Sequence, residues 1–176
     1  RMVKTLYNIA REIRPRQWVK NLTIFAAIFF TGQLLNPVLF QISLLAFIAF
    51  CLGSSSLYVV NDIADIEKDR LHPFKKNRPI ASGKISKSTA WLLAAILTIG
   101  AFWIATQVST NFVIVLVVFY LLHLSYSFYF KNIALLDILI IAASFILRVF
   151  AGEVATGYHL DIWLFLTVIS GALFLA

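Results

Sequence analysis

The amino-acid sequence predicts an all-α protein, a polytopic bundle of transmembrane helices. Hydrophobic residues make up 61% of its 176 residues and charged residues only 13%, whereas about 25% of the residues in a typical soluble domain are charged. The apolar residues are also grouped into stretches that approach the roughly 20 residues needed to cross a bilayer. Composition and grouping together exclude an ordinary soluble domain and predict a single membrane domain over residues 1–176.

Five apolar stretches are long enough to be transmembrane helices, and a sixth begins near Ile162. The sixth is about two-thirds of a full span when the chain ends at Ala176, and the chain begins at Arg1 instead of methionine. We therefore expect the sequence to be the amino-terminal portion of a longer protein. The five predicted spans are residues 18–35, 39–60, 89–108, 112–130 and 133–151.

Residues 1–17 are predicted to form an amphipathic segment that lies on the membrane surface. Leu6 and Ile9 share an apolar face with lysine and arginine opposite, and Pro15 interrupts the helix before the first span. Arg14 by itself is expected to anchor the segment at the interface through its aliphatic stem.

Polar residues at the start of the first span are candidates for substrate contact. Arg16, Lys20 and Asn21 lie where the chain enters the membrane. Ionisable residues within spans are functional candidates by default, since burying them is costly. We predict that all three bind substrate, although ordinary anchoring is an equal alternative at this stage.

Lysine and arginine are concentrated on one side of the predicted spans. Six lie before or at the start of the first span and seven lie in residues 61–88, whereas the connections near residues 36–37 and 107–111 carry none. The positive-inside rule therefore predicts that the amino terminus and loop 61–88 face the cytoplasm. The net charge of +7 is an orientation signal. It does not indicate a nucleic-acid partner, because no soluble basic domain carries it.

An acidic run, Asn61-Asp62-Ile63-Ala64-Asp65-Ile66-Glu67-Lys68-Asp69, follows the second predicted span. Asn61, Asp65 and Asp69 recur at i, i+4 and i+8, and Asp62 is at i−3 from Asp65, so one continuous helix would align their oxygens on one face. Carboxylate and amide oxygens suit Mg²⁺ or Mn²⁺, and Mg²⁺ usually combines one or two carboxylates with substrate phosphates. We predict that these four residues hold the metal and that the three aspartates are catalytic. A solvated acidic helix end is the alternative.

Cations follow the acidic run at once. Lys75, Lys76 and Arg78 lie in a stretch that prolines and Gly83 break into turns. A metal and cations together can hold a diphosphate and neutralise the charge that develops on it as a leaving group. We therefore predict that these three side chains bind substrate phosphate.

Further ionisable residues lie in or beside the later spans. Tyr126 and Lys131 end the fourth span and are predicted to bind substrate. Asp137 and Arg148 are 11 residues apart, close to three helical turns, so they share a face that should look inward. Their roles stay open: Asp137 is either catalytic or a structural partner of Lys131, and Arg148 caps helices or pairs with Glu153 unless the cavity is deep.

Taken in order, these motifs resemble the UbiA superfamily of intramembrane prenyltransferases. The Asn-Asp-x-x-Asp-x-x-x-Asp pattern from Asn61 to Asp69, followed by the Arg-Pro-Ile-Ala-x-Gly turn from Arg78 to Gly83, is similar to the first aspartate-rich motif of the superfamily. The resemblance is greatest to the branch that transfers phosphoribosyl groups. It is carried by residues 14–21, 61–83 and 126–131, with Leu147-Arg148 and Ala151-Gly152.

This resemblance implies an enzyme that moves a phosphoribosyl group from 5-phosphoribosyl 1-diphosphate to a polyprenyl (decaprenyl) phosphate and releases diphosphate, toward precursors of cell-wall arabinan. It implies that Mg²⁺ on the aspartates holds the diphosphate while the lipid phosphate is the nucleophile, surrounded by Lys20, Lys131 and the cations of residues 75–78. It also implies a bacterial plasma-membrane location. The oligomeric state, including a homo-oligomer, stays open.

The resemblance further implies a bundle of about nine transmembrane helices around a cavity, of which this chain would supply about five and a half. We therefore assign the function to the intact protein and do not expect this chain alone to be active.

Two other functions stay open. One is a UbiA-type transferase that moves a prenyl group from a prenyl diphosphate to an aromatic acceptor, which predicts an apolar aromatic slot where the cations would otherwise be. The other is a non-enzymatic transporter or scaffold with a metal-binding cytosolic loop, which predicts a continuous pathway to both faces of the membrane.

Overall fold

The computed structural model describes residues 2–130 and 134–175, and within these residues it is helical, without a β-strand. The α-helices in chain order are α1 (Met2–Glu12), α2 (Ala26–Phe30), α3 (Pro37–Ala64), α4 (Ile66–Leu71), α5 (Lys87–Val108), α6 (Thr110–Ser125), α7 (Ala134–Thr156) and α8 (Ile162–Leu175). A 3₁₀ helix over Pro15–Phe25, called here the 3₁₀ segment, joins α1 to α2. The all-α prediction is confirmed.

Four helices in the described part of the chain are long and apolar enough to cross a membrane. They are Pro37–Ala64, Lys87–Val108, Thr110–Tyr129 and Ile138–Thr156. The structure divides the first predicted span, 18–35, between the 3₁₀ segment and the five-residue helix α2. At about 2.0 Å per 3₁₀ residue and 1.5 Å per α residue, these two pieces have a combined length of about 30 Å. The sixth predicted span corresponds to α8.

Helices α3 and α5 pack closely along their length because α5 presents small residues to α3. Ala90, Ala94, Ala101 and Ala105 are all buried, and small residues let two helix backbones approach each other in a membrane. The two helices are close enough for the hydroxyl of Ser56 on α3 to donate a hydrogen bond to the carbonyl oxygen of Ala94 on α5, at 3.0 Å. This pair forms one side of the bundle.

A glycine sets the position of α7 against the 3₁₀ segment. A Cβ on Gly152 would lie 2.0 Å from the carbonyl oxygen of Ile24, a distance that no side chain tolerates. Arg148 is one turn before Gly152, and Asn21 is three residues before Ile24. The close approach at Gly152 therefore brings Arg148 and Asn21 together, although they are 127 residues apart.

Helix α1 is amphipathic, and it contributes both an apolar residue and a buried acid to the bundle. Ile9 packs against the cluster that contains Val59 and Ile63, while Leu6 is 60% exposed. Glu12, at the end of the helix, is buried. The location of residues 1–17 on the membrane surface stays a prediction.

Candidate active site

A buried cluster of acids and arginines lies at the end of α3. Arg14 and Arg78 both contact the carboxylate of Asp62, the latter with its Nη1 at 3.0 Å from Oδ1. The same Arg78 nitrogen is 2.6 Å from Oδ2 of Asp69. Asp62 and Asp69 are buried, while the arginine side chains are about one-quarter exposed. Each buried carboxylate is therefore neutralised by a cation that belongs to the chain.

The prediction that Asp62 holds a metal beside Asp65 and Asp69 stays a prediction, but the single helix on which it was based is absent from the structure. Helix α3 ends at Ala64 and α4 begins at Ile66, so the acidic run does not form the continuous helix that the spacing predicts. Among the described residues, no group of three or more His, Cys, Asp or Glu side chains is arranged to hold a metal ion. Asp62 is a partner of arginines.

The prediction that Arg14 only anchors the chain at the interface is wrong. Its guanidinium contacts Asp62 and lies 5.1 Å from the centre of the Tyr58 ring. Arg14 has a left-handed backbone, with φ 51°, and it directly precedes the 3₁₀ segment. This unusual backbone allows the chain to turn from α1 into the bundle while the arginine side chain reaches α3.

A second group of polar residues surrounds a cavity of about 300 Å³ between the end of α3 and the loop after α4, called here the loop cavity. Its acidic and amide residues are Asn61, Asp65 and Asp69, and its cations are Lys68, Lys75 and Arg78. His72 and Tyr126 complete the lining. Mg²⁺ usually binds only one or two protein carboxylates when substrate phosphates supply its other ligands. The two carboxylates and one amide of this cavity match that pattern. The loop cavity therefore fits a divalent cation carried with a diphosphate.

His72 and the remaining loop cations have different positions. The Nδ1 atom of His72 accepts hydrogen bonds from the backbone N–H groups of Phe74 and Lys75, at 3.2 and 3.3 Å, which stabilises the turn. Lys76 is exposed and does not line the loop cavity. Arg16 lines a separate groove with Arg11, beside α1. Lys76 and Arg16 therefore do not line the loop cavity, and their contacts with substrate stay predictions.

Deeper in the bundle, two adjoining cavities of about 130 and 230 Å³, called here the inner cavities, share four residues. The shared residues are Tyr58, His123, Tyr126 and Arg148. Lys20 lines the larger of the two. Because Tyr126 also lines the loop cavity, and Asn61 lines it together with the smaller inner cavity, the three spaces meet at these two residues.

Arg148 is fixed by hydrogen bonds to neutral groups. Its Nε donates to Oδ1 of Asn21 and its Nη1 donates to the carbonyl oxygen of Ser144, both at 2.8 Å. The prediction that it pairs with Glu153 is wrong: that carboxylate accepts the backbone N–H of Leu160 at 2.9 Å and contacts His159. Arg148 therefore belongs to the inner cavities.

Asn21 is a buried connector in the structure. Its amide oxygen accepts from Arg148, while its amide nitrogen donates to the hydroxyl of Ser54 at 3.3 Å. Asn21 thus orients the arginine, and its own contact with substrate stays a prediction. Lys131 lies outside the described residues, and so does the side chain of Asp137.

Tyr58 and His123 line these cavities but were not singled out from the sequence, unlike Tyr126 beside them. The Nε2 atom of His123 is 3.1 Å from the hydroxyl of Ser144, and this histidine lines both inner cavities. Tyr126 begins a π-helical turn, Tyr126–Phe130, a local widening that is frequent at functional sites. Tyr58 lies three residues before Asn61, which would put the two side chains on the same face of a helix; this spacing was the sequence signal that Tyr58 belongs to the site.

Glu12 is a further residue that was not predicted from the sequence to belong to the site. Its side chain is buried against the Asp62 cluster, and its Oε1 has no hydrogen-bond partner. Burial, followed by the negative charge of Asp62 and a hydrogen bond with it, raises the pKa of Glu12 to about 8, and Arg14 and Arg78 oppose this rise. A neutral carboxyl group at this position can donate a hydrogen bond to the carboxylate of Asp62. The one signal in the sequence was an acid within an otherwise basic helix.

Residues 21–176 match the sequence profile of the UbiA prenyltransferase family. The chain belongs to this family. It is also 38% identical over 173 residues to decaprenyl-phosphate phosphoribosyltransferase of Mycolicibacterium smegmatis, and the match covers 96% of this chain and 54% of that protein. The enzyme of the same name from Corynebacterium glutamicum is 37% identical, covering 94% of this chain and 51% of its own length. The chain thus spans about half the length of these relatives.

The fold of the family is also found among solved structures. A UbiA homolog from Archaeoglobus fulgidus, whose structure was determined with DMAPP and Mg²⁺ bound, superposes with a TM-score of 0.79 at 21% identity. The superposition covers 94% of this chain and 60% of the homolog. At this identity the similarity is one of fold, and it confirms the predicted UbiA-type helical bundle.

Proposed function

We propose that the intact protein transfers a phosphoribosyl group from 5-phosphoribosyl 1-diphosphate to a polyprenyl phosphate, with release of diphosphate. The loop cavity carries this proposal, because Asp65, Asp69 and three cations converge there beside Asn61. The names of the relatives that are 37–38% identical over most of this chain favour phosphoribosyl transfer over transfer of a prenyl group. The product would serve as a precursor of cell-wall arabinan.

The loop cavity suits the diphosphate of the soluble substrate. Lys75 and Arg78 would hold diphosphate oxygens and stabilise the negative charge that grows on the leaving group. Asp65 and Asp69, supported by Asn61, would hold Mg²⁺ or Mn²⁺, which supplies further charge neutralisation when it is bound. Arg78 also contacts Asp62 and Asp69, so the acid cluster fixes the position of this cation before substrate arrives.

The reaction needs positioning more than a strong base. The lipid phosphate is already ionised, so one of its oxygens can attack C1 of the ribose directly while the bond from C1 to the diphosphate oxygen breaks. The electron pair of that bond leaves with the diphosphate. Asn61 and Tyr126, where the loop and inner cavities meet, would lie nearest to this exchange and orient the two reactants. The concentration of lysine and arginine near the loop favours a cytoplasmic position for the loop cavity, in what would be a bacterial plasma membrane.

The proposal is tested with the intact protein in detergent, Mg²⁺, radiolabelled 5-phosphoribosyl 1-diphosphate and a polyprenyl phosphate. Label should enter the organic phase, and Asp65→Asn should reduce this transfer at least about a hundredfold, because a charged ligand of the diphosphate and metal is lost. Glu67→Gln is the matched control: it removes an acid two residues away whose exposed side chain forms a surface ion pair with Arg70. Transfer without a divalent cation, or equal losses in both variants, would contradict the proposal.

A further inference from the structure

We propose that the larger inner cavity, at Arg148 and Lys20, binds the phosphate head group of the lipid substrate, while the loop cavity binds the soluble diphosphate substrate. The inference rests on the proposed function and assigns a separate subsite to each of its two phosphate-bearing substrates. The evidence for this inference is the distribution of charged residues around the cavities.

Arg148 is a buried cation without a countercharge among the residues that the structure describes around it. It is 3% exposed, and its hydrogen-bond partners are the neutral groups of Asn21 and Ser144. Its other contacts are the faces of two aromatic rings, Phe119 at 4.9 Å and Phe145 at 5.7 Å. A buried charge in a membrane protein is normally paired or used in function. The pairing groups here can orient the guanidinium but cannot neutralise it.

Lys20 adds a second cation to the same cavity. It lies at the mouth, where its side chain is exposed, and no salt bridge to it occurs in the described part of the chain. No aspartate or glutamate is present among the described residues that line either inner cavity. Asp137 is 11 residues from Arg148 on α7, so its backbone is about 16 Å away along the helix axis. An anion from outside the chain would therefore complete this site.

The acid cluster at the end of α3 provides the contrast. There, Arg14 and Arg78 contact the carboxylates of Asp62 and Asp69, so each of these arginines already has a countercharge within the chain. The same bundle thus holds one set of arginines with carboxylate partners and one buried arginine without. Arg148, unlike Arg14 and Arg78, has no carboxylate partner among the described residues, so a bound anion would supply its countercharge.

The walls of the larger inner cavity favour an anion that carries a hydrocarbon chain. Ile140, Ile141 and Phe145 of α7 line it beside the two cations. Apolar side chains next to charged ones match an amphiphile, whose head group meets the cations while its chain follows the apolar wall. A free phosphate would use the cations alone. The lipid phosphate uses both features.

The positions of the cavities also suit a transfer between two substrates. Tyr126 lines the loop cavity and both inner cavities, and Arg148 lines both inner cavities. A phosphate oxygen held by Arg148 could therefore meet the ribose C1 of a substrate whose diphosphate is held in the loop cavity. The new bond joins the lipid phosphate oxygen to C1, and the diphosphate leaves with the electron pair of the old bond.

The test measures the KM of each substrate at saturating concentration of the other, with the intact protein. Lys20→Met and Arg148→Gln should each raise the KM for the polyprenyl phosphate about tenfold or more, since charge-assisted contacts are lost. The KM for 5-phosphoribosyl 1-diphosphate should change less than about twofold. Lys75→Met, in the loop cavity, should give the reverse pattern. If Lys20→Met and Arg148→Gln instead raise the KM for 5-phosphoribosyl 1-diphosphate selectively, the inner cavity belongs to the soluble substrate and the proposal is wrong.

Direct binding separates this inference from the proposed function. Binding of farnesyl phosphate, of inorganic phosphate and of 5-phosphoribosyl 1-diphosphate is measured by calorimetry on the parent and on both variants, without turnover. Lys20→Met is the safer variant for folding because Lys20 is exposed. Selective loss of farnesyl phosphate binding supports the subsite even if no phosphoribosyl transfer occurs. Unchanged farnesyl phosphate binding in both variants overturns it, and so does an equal loss of inorganic phosphate binding, which would indicate a general anion site.

Discussion

Asp62 is held by two arginines that come from different parts of the chain. Arg14 reaches it from the start of the 3₁₀ segment and Arg78 from the loop after α4, and both contacts are largely shielded from solvent. A carboxylate in this position joins the amino terminus, the end of α3 and the loop. We therefore assign Asp62 the role of positioning Arg78 for the loop cavity.

Asp62→Asn should destabilise the protein, because it leaves two partly buried arginines without their countercharge. Removing one partner of a buried ion pair typically costs about 3 kcal/mol or more. The loss should appear as a lower midpoint of thermal unfolding in detergent. Asp161→Asn is the control, since Asp161 is exposed at the start of α8. Equal midpoints in the two variants would mean that the Asp62 cluster does not contribute to stability.

Glu12 predicts a dependence of stability on pH. Its pKa is raised from 4.5 to about 8, so the folded protein retains a proton that the unfolded chain releases near pH 4.5. The stability linked to this group is fully present below its unfolded pKa and is lost as the pH rises toward about 8. Unfolding midpoints measured between pH 5 and 8.5 should therefore fall with pH in the parent. Glu12→Gln should remove much of that slope; parallel curves would contradict the assigned burial of a neutral carboxyl.

At the scale of elements, the contact between α7 and the 3₁₀ segment determines where the inner cavities form. Gly152 allows the two backbones to approach, and one turn away Arg148 reaches Asn21. The 3₁₀ segment lengthens the chain per residue relative to an α-helix and carries Lys20 and Asn21 toward the same cavity. A small residue on one helix thus positions the charged residues of two elements.

Gly152→Ala should lower both stability and activity, because its Cβ would collide with the backbone oxygen of Ile24 at 2.0 Å. A backbone atom cannot rotate away, so α7 must move and displace Arg148. Gly100→Ala is the matched control, since its Cβ would meet only the end of the Leu52 side chain at 3.4 Å. Thermal unfolding and transfer assays should show a loss for the first variant and little change for the second. Similar behaviour of the two would rule out the close approach.

The sequence predicted the long helices well and the local breaks poorly. The predicted spans 39–60 and 89–108 correspond to α3 and α5 within a few residues, since hydrophobic length is a local property. The end of α3 at Ala64 was not predicted, because nothing in the acidic run itself marks it. Near this break, Asp62 forms an ion pair with Arg14, which lies 48 residues earlier in the chain.

The same distinction applies to the candidate site. The residue types and spacing were sufficient to select Asp65, Asp69 and Arg78 for one loop, where they do line one cavity. The sequence could not indicate that Arg148 faces Asn21 and not Glu153, since that contact depends on how α7 packs against a segment 127 residues away. Local patterns identified the participants, and tertiary packing determined their partners.

For the whole molecule, the described helices form a bundle whose cations are divided between two regions. The loop cavity combines cations with carboxylates, and the larger inner cavity combines Lys20 and Arg148 with an apolar wall. This division suits a reaction between a soluble diphosphate and a lipid phosphate. The phosphoribosyltransferases that are 37–38% identical to this chain are about twice as long. Activity should therefore be measured with the intact protein.

The most direct measurement gives the intact protein two substrate pairs in one vesicle preparation and identifies the products by mass spectrometry. One pair is 5-phosphoribosyl 1-diphosphate with a polyprenyl phosphate; the other is a prenyl diphosphate with an aromatic acceptor. The account predicts a polyprenyl phosphate that has gained one phosphoribosyl group, and no prenylated aromatic. A prenylated aromatic without the phosphoribosyl lipid would contradict it and identify the protein as a prenyl transferase.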